Sequence, residues 1–222
     1  MYSDACKNTQ TKSKKRIADH GEVFTADREV NAMLDLVKQE TLRIDSRFLE
    51  PACGDGNFLA EILRRKLAVV NSRYGKNVDD YERYLFIAAS SIYGVDILPD
   101  NVKDCHARLF DIINREYTRV CGRHANDEAQ VAIRFVLTRN IQCGDVLTMK
   151  TDGGNPLIFS EWSMIMGGTV KRRDFRLDHM LEGQKNQLSL ESTDWIYDDE
   201  VKAMIPLPIR EFPPIHFKKV HV

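Results

Sequence analysis

At 222 residues, 43% hydrophobic and 29% charged, the chain has the make-up of one globular domain with a sizeable core, and it is short for two. A net charge of -1 supplies no global attraction to nucleic acid, so any such surface has to be local. The five cysteines are odd in number and contain no C-x-x-C pair, which argues against a disulfide framework and a zinc ribbon. No stretch approaches the roughly 18 apolar residues of a membrane span, and the amino terminus lacks the apolar core of a signal peptide. A reducing, cytoplasmic setting is the expectation.

Residues 1–16 are polar and basic without periodicity and read as a flexible arm. Arg28 to Gln39 places Val30, Met33, Leu34 and Val37 at helical spacing, with Thr25 or Asp27 as N-cap. Phe48 to Glu50 ends a buried strand, and Asn57 to about Val70 is a helix. Residues 73–80 read as a loop, Tyr81 to Ala89 as a helix and Ser91 to Ile97 as a strand. Pro99 then opens a helix from a favoured first-turn position, with Val102, Cys105, Leu109, Ile112, Ile113 and Tyr117 on its buried face. A helix from about Asp127 to Leu137 and a strand near Asn140 to Cys143 follow.

Strands alternating with helices predict an α/β domain with a mainly parallel sheet and helices on both faces. The pattern then changes. Leu157 to Ile165 and Thr169 to Leu177 read as a β-hairpin turning at Gly167-Gly168. Residues 182–200 are polar and weakly patterned, and the tail IPLPIREFPPIHF, with four prolines, has to be extended. The resulting organisation is an arm (1–16), a main domain (17–178), and a polar linker with a proline-rich tail (179–222).

The segment LEPACGDGNF is where chemistry enters. Ligands of open α/β sheets bind beyond the carboxyl ends of the strands. Gly54 and Gly56 let the chain turn there and leave room for a ligand, and the N–H groups opening the Asn57 helix can bind a carboxylate. A plain strand-to-helix turn is the alternative. Two further strand ends carry acids: Asp96 in YGVDI, suited to ribose hydroxyls, and Asp145 in CGDVL, suited to an adenine amino group or to capping a turn. A nicotinamide dinucleotide site would want G-x-G-x-x-G, and here leucine stands where the third glycine would fall.

The ordered set GEVFT (21–25), LEPACGDGNF (49–58), YGVDI (93–97) and CGDVL (143–147) resembles the adenine-specific DNA methyltransferases of restriction–modification systems, over about residues 14–150. That resemblance implies a Rossmann-like S-adenosylmethionine-dependent fold. It implies that Phe24 and Thr25 close over the methionine part, and that Glu50, Ala52, Gly54 and Gly56 line its amino-acid portion. Pro51, Cys53, Asn57 and Phe58 of the same turn join them as cofactor contacts. Asp96, with Ile97, would hold the ribose, and Asp145, with Val146, the adenine. It further implies DNA as partner and direct methyl transfer to adenine N6.

The family's Asn-Pro-Pro-aromatic element, which accepts the target amino group and stacks on a flipped base, has its nearest counterpart at Asn155-Pro156, followed by Leu157 and Ile158. Asn155 and Pro156 are therefore the catalytic candidates. The string precedes an apolar run instead of following one, so it also reads as a strand entrance. Beyond residue 150 there remain 72 residues (222 − 150), too few for three more helix–strand units and a recognition domain. A non-catalytic cofactor-binding or regulatory subunit, working with a second chain, is the alternative. Lys171, Arg172 and Arg173 are the candidate phosphate contacts, against a solvated face. Trp162 reads as core or as a stacking platform. The six histidines show no ligand spacing, and no metal is expected.

Overall fold

In the computed structural model of the chain, residues 25–185, 195–199 and 202–222 are described. The helix predicted over 28–39 is broken in two, α1 (Asp27–Asp35) and α2 (Lys38–Thr41). Val30 and Leu34, one turn apart, are buried, whereas Leu36 is 86% exposed, so nothing apolar holds the helix together past Asp35. Neither Thr25 nor Asp27 caps α1. Its start is held by Glu29, whose carboxylate accepts the Ala26 N–H at 3.0 Å.

After β1 (Phe48–Glu50) come α3 (Asn57–Tyr74), α4 (Val78–Ser90), β2 (Ile92–Asp96), α5 (Pro99–Cys121), α6 (Asp127–Asn140) and β3 (Ile141–Cys143). The loop predicted over 73–80 contracts to 75–77. Asn77 caps α4 by accepting the Asp80 N–H at 3.1 Å, and Asp79 and Asp80 sit at the positive end of that helix. Pro99 occupies the first turn of α5 as expected.

The strands β1, β2 and β3 form a parallel sheet in that order, with Phe48 opposite Ile92 and Gly94 opposite Ile141. The central β2 is buried throughout, and its alternating side chains enter two different layers. Ile92 packs with Leu59 and Leu63 of α3, Leu109 of α5 and Leu137 of α6. Tyr93 and Val95 pack instead with Leu157, Phe159 and Leu177.

Of those partners Phe159 lies in the hairpin strands β4 (Ile158–Met164) and β5 (Thr169–Arg176), while Leu157 precedes them and Leu177 opens the helix that follows. The predicted hairpin pairs antiparallel with Trp162 opposite Arg172 and turns through Gly167 and Gly168. The expectation of helices on both faces of the sheet is refined: helices α3, α5 and α6 pack on one face, and the hairpin, together with Leu177 at the start of the helix that follows it, packs on the other. The hairpin buries Phe159 and Trp162 beside a hydrogen-bonded Ser160–Asp174 pair, and Tyr93 and Phe159 meet edge to face at 5.6 Å. The Tyr93 hydroxyl also donates to the Ser160 carbonyl at 3.0 Å. Parallel pairing is confined to β1–β3 among the described strands.

A second core joins Phe86 of α4, Ala132 and Val136 of α6, Trp162, Val170, Phe217 and Val220. Trp162 is therefore a core residue, and its indole N–H donates to Asn140 Oδ1 at 3.0 Å. Asn140 in turn donates to the Ser90 and Ile92 carbonyls at 3.1 Å each, so one buried amide ties α6, β2 and the hairpin together. On the helical side, the buried Lys66 donates to Ile44 O at 3.0 Å, to Ser91 Oγ at 2.7 Å and to Ser46 O.

Residues 182–200, expected to lack pattern, include the end of α7 (Leu177–Lys185) and β6 (Trp195–Asp198), which pairs antiparallel with β7 (Ala203–Pro206). The proline-rich tail is extended as its composition requires. It supplies β8 (Arg210–Glu211) and β9 (Ile215–His216), both paired to β5, and Phe217 anchors it in the second core. Among the described residues no helix is long and apolar enough to cross a membrane.

Candidate functional site

The parallel strands end at one edge of the sheet, and a cleft of about 530 Å³ opens there. The tip of β1 and the turn after it contribute Glu50, Pro51, Ala52, Cys53 and Gly54. The first turn of α3 contributes Asn57 and Phe58, the tip of β2 Asp96 and Ile97, and the segment after β3 Asp145 and Val146. Thr25 reaches the same cleft, and its carbonyl accepts a hydrogen bond from Asn57 Nδ2 at 2.8 Å. Phe24 lies outside the described residues. Residues separated by more than a hundred positions in the chain thus share one cavity.

The geometry of the turn follows from its glycines. Gly54 has φ +54°, and a side chain there would meet no atom within 4 Å, so the space above it is open. Gly56 differs from its predicted role. It is buried behind the turn with φ +87°, and a Cβ would come within 2.6 Å of Cys105 Sγ. It is not among the lining residues; it lets the chain enter α3 against α5. Gly56 is the N-cap of α3 and supplies no side-chain acceptor, and the first turn holds no acid. The helices α4 and α6, by contrast, are capped by Asn77 and Asn126. The positive end of an 18-residue helix is thereby left to the cleft.

Asp96 is more deeply engaged than the sequence suggested. Its Oδ2 accepts the Gly54 N–H at 2.8 Å, and its Oδ1 accepts from Leu98 N–H at 2.9 Å and from Asn101 Nδ2 at 3.2 Å. The carboxylate staples the glycine turn to the tip of β2. Three of its roughly four acceptor directions are occupied, which leaves one, on Oδ2, for a ligand. The tips are also joined by backbone: Cys53 N–H donates to Val95 O, and Gly144 N–H to Asp96 O, both at 2.9 Å. Asp145 caps its own turn, with Oδ1 accepting the Leu147 N–H at 2.8 Å, while still lining the cleft.

Glu50 is half-buried at the cleft, and burial pushes its carboxyl above the usual carboxylate range. Cys53 lines the cleft and donates to the Gly54 carbonyl at 3.7 Å, and its neighbour Cys105 together with burial pushes its thiol up. The lining therefore carries Glu50, Asp55, Asp96 and Asp145, and no lysine or arginine is among the described lining residues. Arg108 stands behind, paired to Asp55 at 2.6 Å. Sequence reasoning missed Asp55, Leu98, Asn101 and Leu147. Asn101 was legible only as a polar residue one turn into the Pro99 helix, and its contact with Asp96 depends on how α5 docks.

Asn155 and Pro156 are not part of this lining. They sit on the loop entering β4, where Asn155 is exposed, its carbonyl accepts the Thr151 N–H at 2.8 Å, and Pro156 bridges to Lys150. The basic cluster does not form an open phosphate patch either. Lys171 pairs with Glu211 at 2.7 Å and Arg173 with Glu161 at 2.5 Å. Arg172 makes a two-pronged contact with Asp174, 2.8 Å on each prong, and lies over the Phe212 ring at 4.1 Å. β5 sends Lys171 and Arg173 to acids on neighbouring strands and Arg172 to Asp174 of its own strand, which composition alone does not reveal. Among the described residues no group of three potential metal ligands occurs, and Cys53, Cys105, Cys121 and Cys143 are free thiols. Comparison with protein-family models, with curated proteins and with solved structures finds no match for this chain.

Proposed function

We propose that this cleft binds S-adenosylmethionine, on a Rossmann-like arrangement of the kind found in adenine-specific DNA methyltransferases. The observation that carries the reading is the lining itself: three parallel strand tips converge on one cavity that holds four carboxylates and no cationic side chain among its described residues. A sulfonium and an ammonium suit such a lining, and the open helix α3 terminus suits the ligand's own carboxylate. A nicotinamide dinucleotide would bring its pyrophosphate against those acids, which disfavours the oxidoreductase reading. In this reading Glu50 faces the ammonium, the remaining acceptor of Asp96 faces a ribose hydroxyl, and Asp145 and Val146 border the base.

The bound group would supply an activated methyl, and the chain's residues would orient it and exclude water. Transfer to adenine N6 in DNA is the reaction the resemblance implies. The place of Asn155 and Pro156 outside the lining favours a second reading, in which the chain holds the cofactor as a non-catalytic subunit of a modification system.

Calorimetric titration with S-adenosylmethionine and, separately, with NAD tests the first claim. Binding of the former alone, weakened at least tenfold in Glu50→Gln, is the expected result. No binding of either, or preference for NAD, refutes it. Labelled methyl incorporation into unmethylated DNA then separates enzyme from subunit, and loss of incorporation in Asn155→Ala is the outcome that would restore Asn155 to catalysis.

A further inference from the structure

The parallel sheet stops abruptly at β1. Among the described residues β1 pairs only with β2, to which it gives the Phe48 N–H (to Ser91 O, 3.0 Å). In a parallel strand the next residue turns its peptide groups the other way, so Leu49 presents an unpaired N–H and C=O. Leu49 is also 46% exposed, in a sheet class that is normally covered. Beside this edge runs a groove of about 550 Å³, largely apolar, walled by Phe48, Phe159, Phe175, Met180 and Ile205.

Arg47 and Arg173 stand on its rim and share a single carboxylate, Glu161, at 2.6 and 2.5 Å. The buried Nε of Arg173 has no hydrogen-bond acceptor among the described residues. The groove thus offers an open strand edge, apolar walls and an excess of positive charge.

The same face carries the complement. β6 pairs only with β7 among the described strands, and although the pair rests on α7, where the Trp195 indole N–H donates to the His179 carbonyl at 3.0 Å, the outer edge of β6 is unpaired among them. Its Ile196 and Tyr197 are 51% and 53% exposed, and the exposed Asp199 follows directly. An apolar strand with an acid at its end is what the β1 groove accepts. Both features lie on one patch, since Ile205 and Pro206 of β7 line the groove. A patch holding both a site and its complement closes on itself by two-fold symmetry.

We propose that two copies of this chain associate through this face, with β6 of each copy laid along β1 of the other. Each pairing adds strand hydrogen bonds at Leu49, covers Ile196 and Tyr197, and brings Asp199 toward Arg47 and Arg173. This goes beyond the cofactor reading and does not depend on it.

The test is the molar mass of the full chain in solution by light scattering and sedimentation. Wild type is expected at twice the 25.5 kDa protomer. Leu49→Asp and Ile196→Asp, both at exposed positions, should each run as monomers with unchanged circular dichroism. An equimolar mixture of the two variants should regain dimers, because one of the two β1–β6 pairings then joins two unaltered partners. A monomeric wild type, a dimer indifferent to both substitutions, or a mixture that stays monomeric overturns the proposal. So does a wild type that is monomeric alone and pairs only with a different protein at this groove.

Discussion

Replacing Asp96 tests the cleft's construction directly. The carboxylate accepts three hydrogen bonds: Gly54 N–H at 2.8 Å, Leu98 N–H at 2.9 Å and Asn101 Nδ2 at 3.2 Å. Hydrogen bonds to a charged acceptor contribute about 1.5–3 kcal/mol each, and an orphaned buried donor costs about 1–3 kcal/mol. Both residues line the cleft, but Asn101 is 1% exposed and stays shielded from water, whereas Gly54 is half-buried and can rehydrate. Asp96→Ala should therefore cost about 3–6 kcal/mol, a large share of the roughly 5–15 kcal/mol of a folded domain. Asp96→Asn keeps an oxygen for Leu98 and Asn101 but sets its amide N–H against the Gly54 N–H. It should cost about 1–2 kcal/mol. Urea unfolding followed by circular dichroism measures both, and amide exchange at Gly54 should rise in each. A loss under about 1 kcal/mol for Asp96→Ala, or equal losses for the two variants, would refute the staple.

Other consequences are as specific. Gly56→Ala should destabilise by about 2–4 kcal/mol, from positive φ and a Cβ 2.6 Å from Cys105 Sγ. Adding Cys105→Ala should recover part of that loss in urea unfolding, since the contact disappears and the φ strain stays. Lys66 is held down to about 7 by burial, against an unfolded value near ~10.4. The unfolded chain therefore binds more protons between these values, and stability rises with pH across that window. From pH 7 to 9 the Lys66 contribution should be about 2–3 kcal/mol, and Lys66→Met should flatten the slope. Arg172→Ala should lower the denaturation midpoint through loss of the Asp174 fork and the Phe212 stack. Lys171→Ala, removing one exposed ion pair, should change stability by less than about 1 kcal/mol; a reduced salt slope of DNA binding in Lys171→Ala would contradict the neutralised-patch reading.

Local pattern made much of the domain legible. Helical spacing with Pro99 marked α5, and the apolar run ending in Asp96 marked β2, because a helix or strand must show its period to bury one face. Gly54 and the two acids were readable as lining one cleft because a parallel sheet brings its strand ends to one edge, whereas the buried place of Gly56 was not. Capping was harder to read, and α4 began earlier than its apolar pattern suggested because the Asn77 signal is a single side chain.

The amino-acid sequence by itself determined most of the strands and helices between Asp27 and Arg176, though not the helix and strand pair that follow, and which polar residues stand at the strand tips. These depend on neighbours in the chain. Only the tertiary structure decided that a hairpin covers the second face of the sheet, that Asp96 is largely spent on Gly54, Leu98 and Asn101, and that Lys171, Arg172 and Arg173 are already paired. The Gly54, Glu211 and Glu161 partners lie tens of residues away, and even the nearby partners Leu98, Asn101 and Asp174 are brought into place by how α5 and β5 dock. Which acid meets which cation, and which face meets which layer, is set by packing between elements.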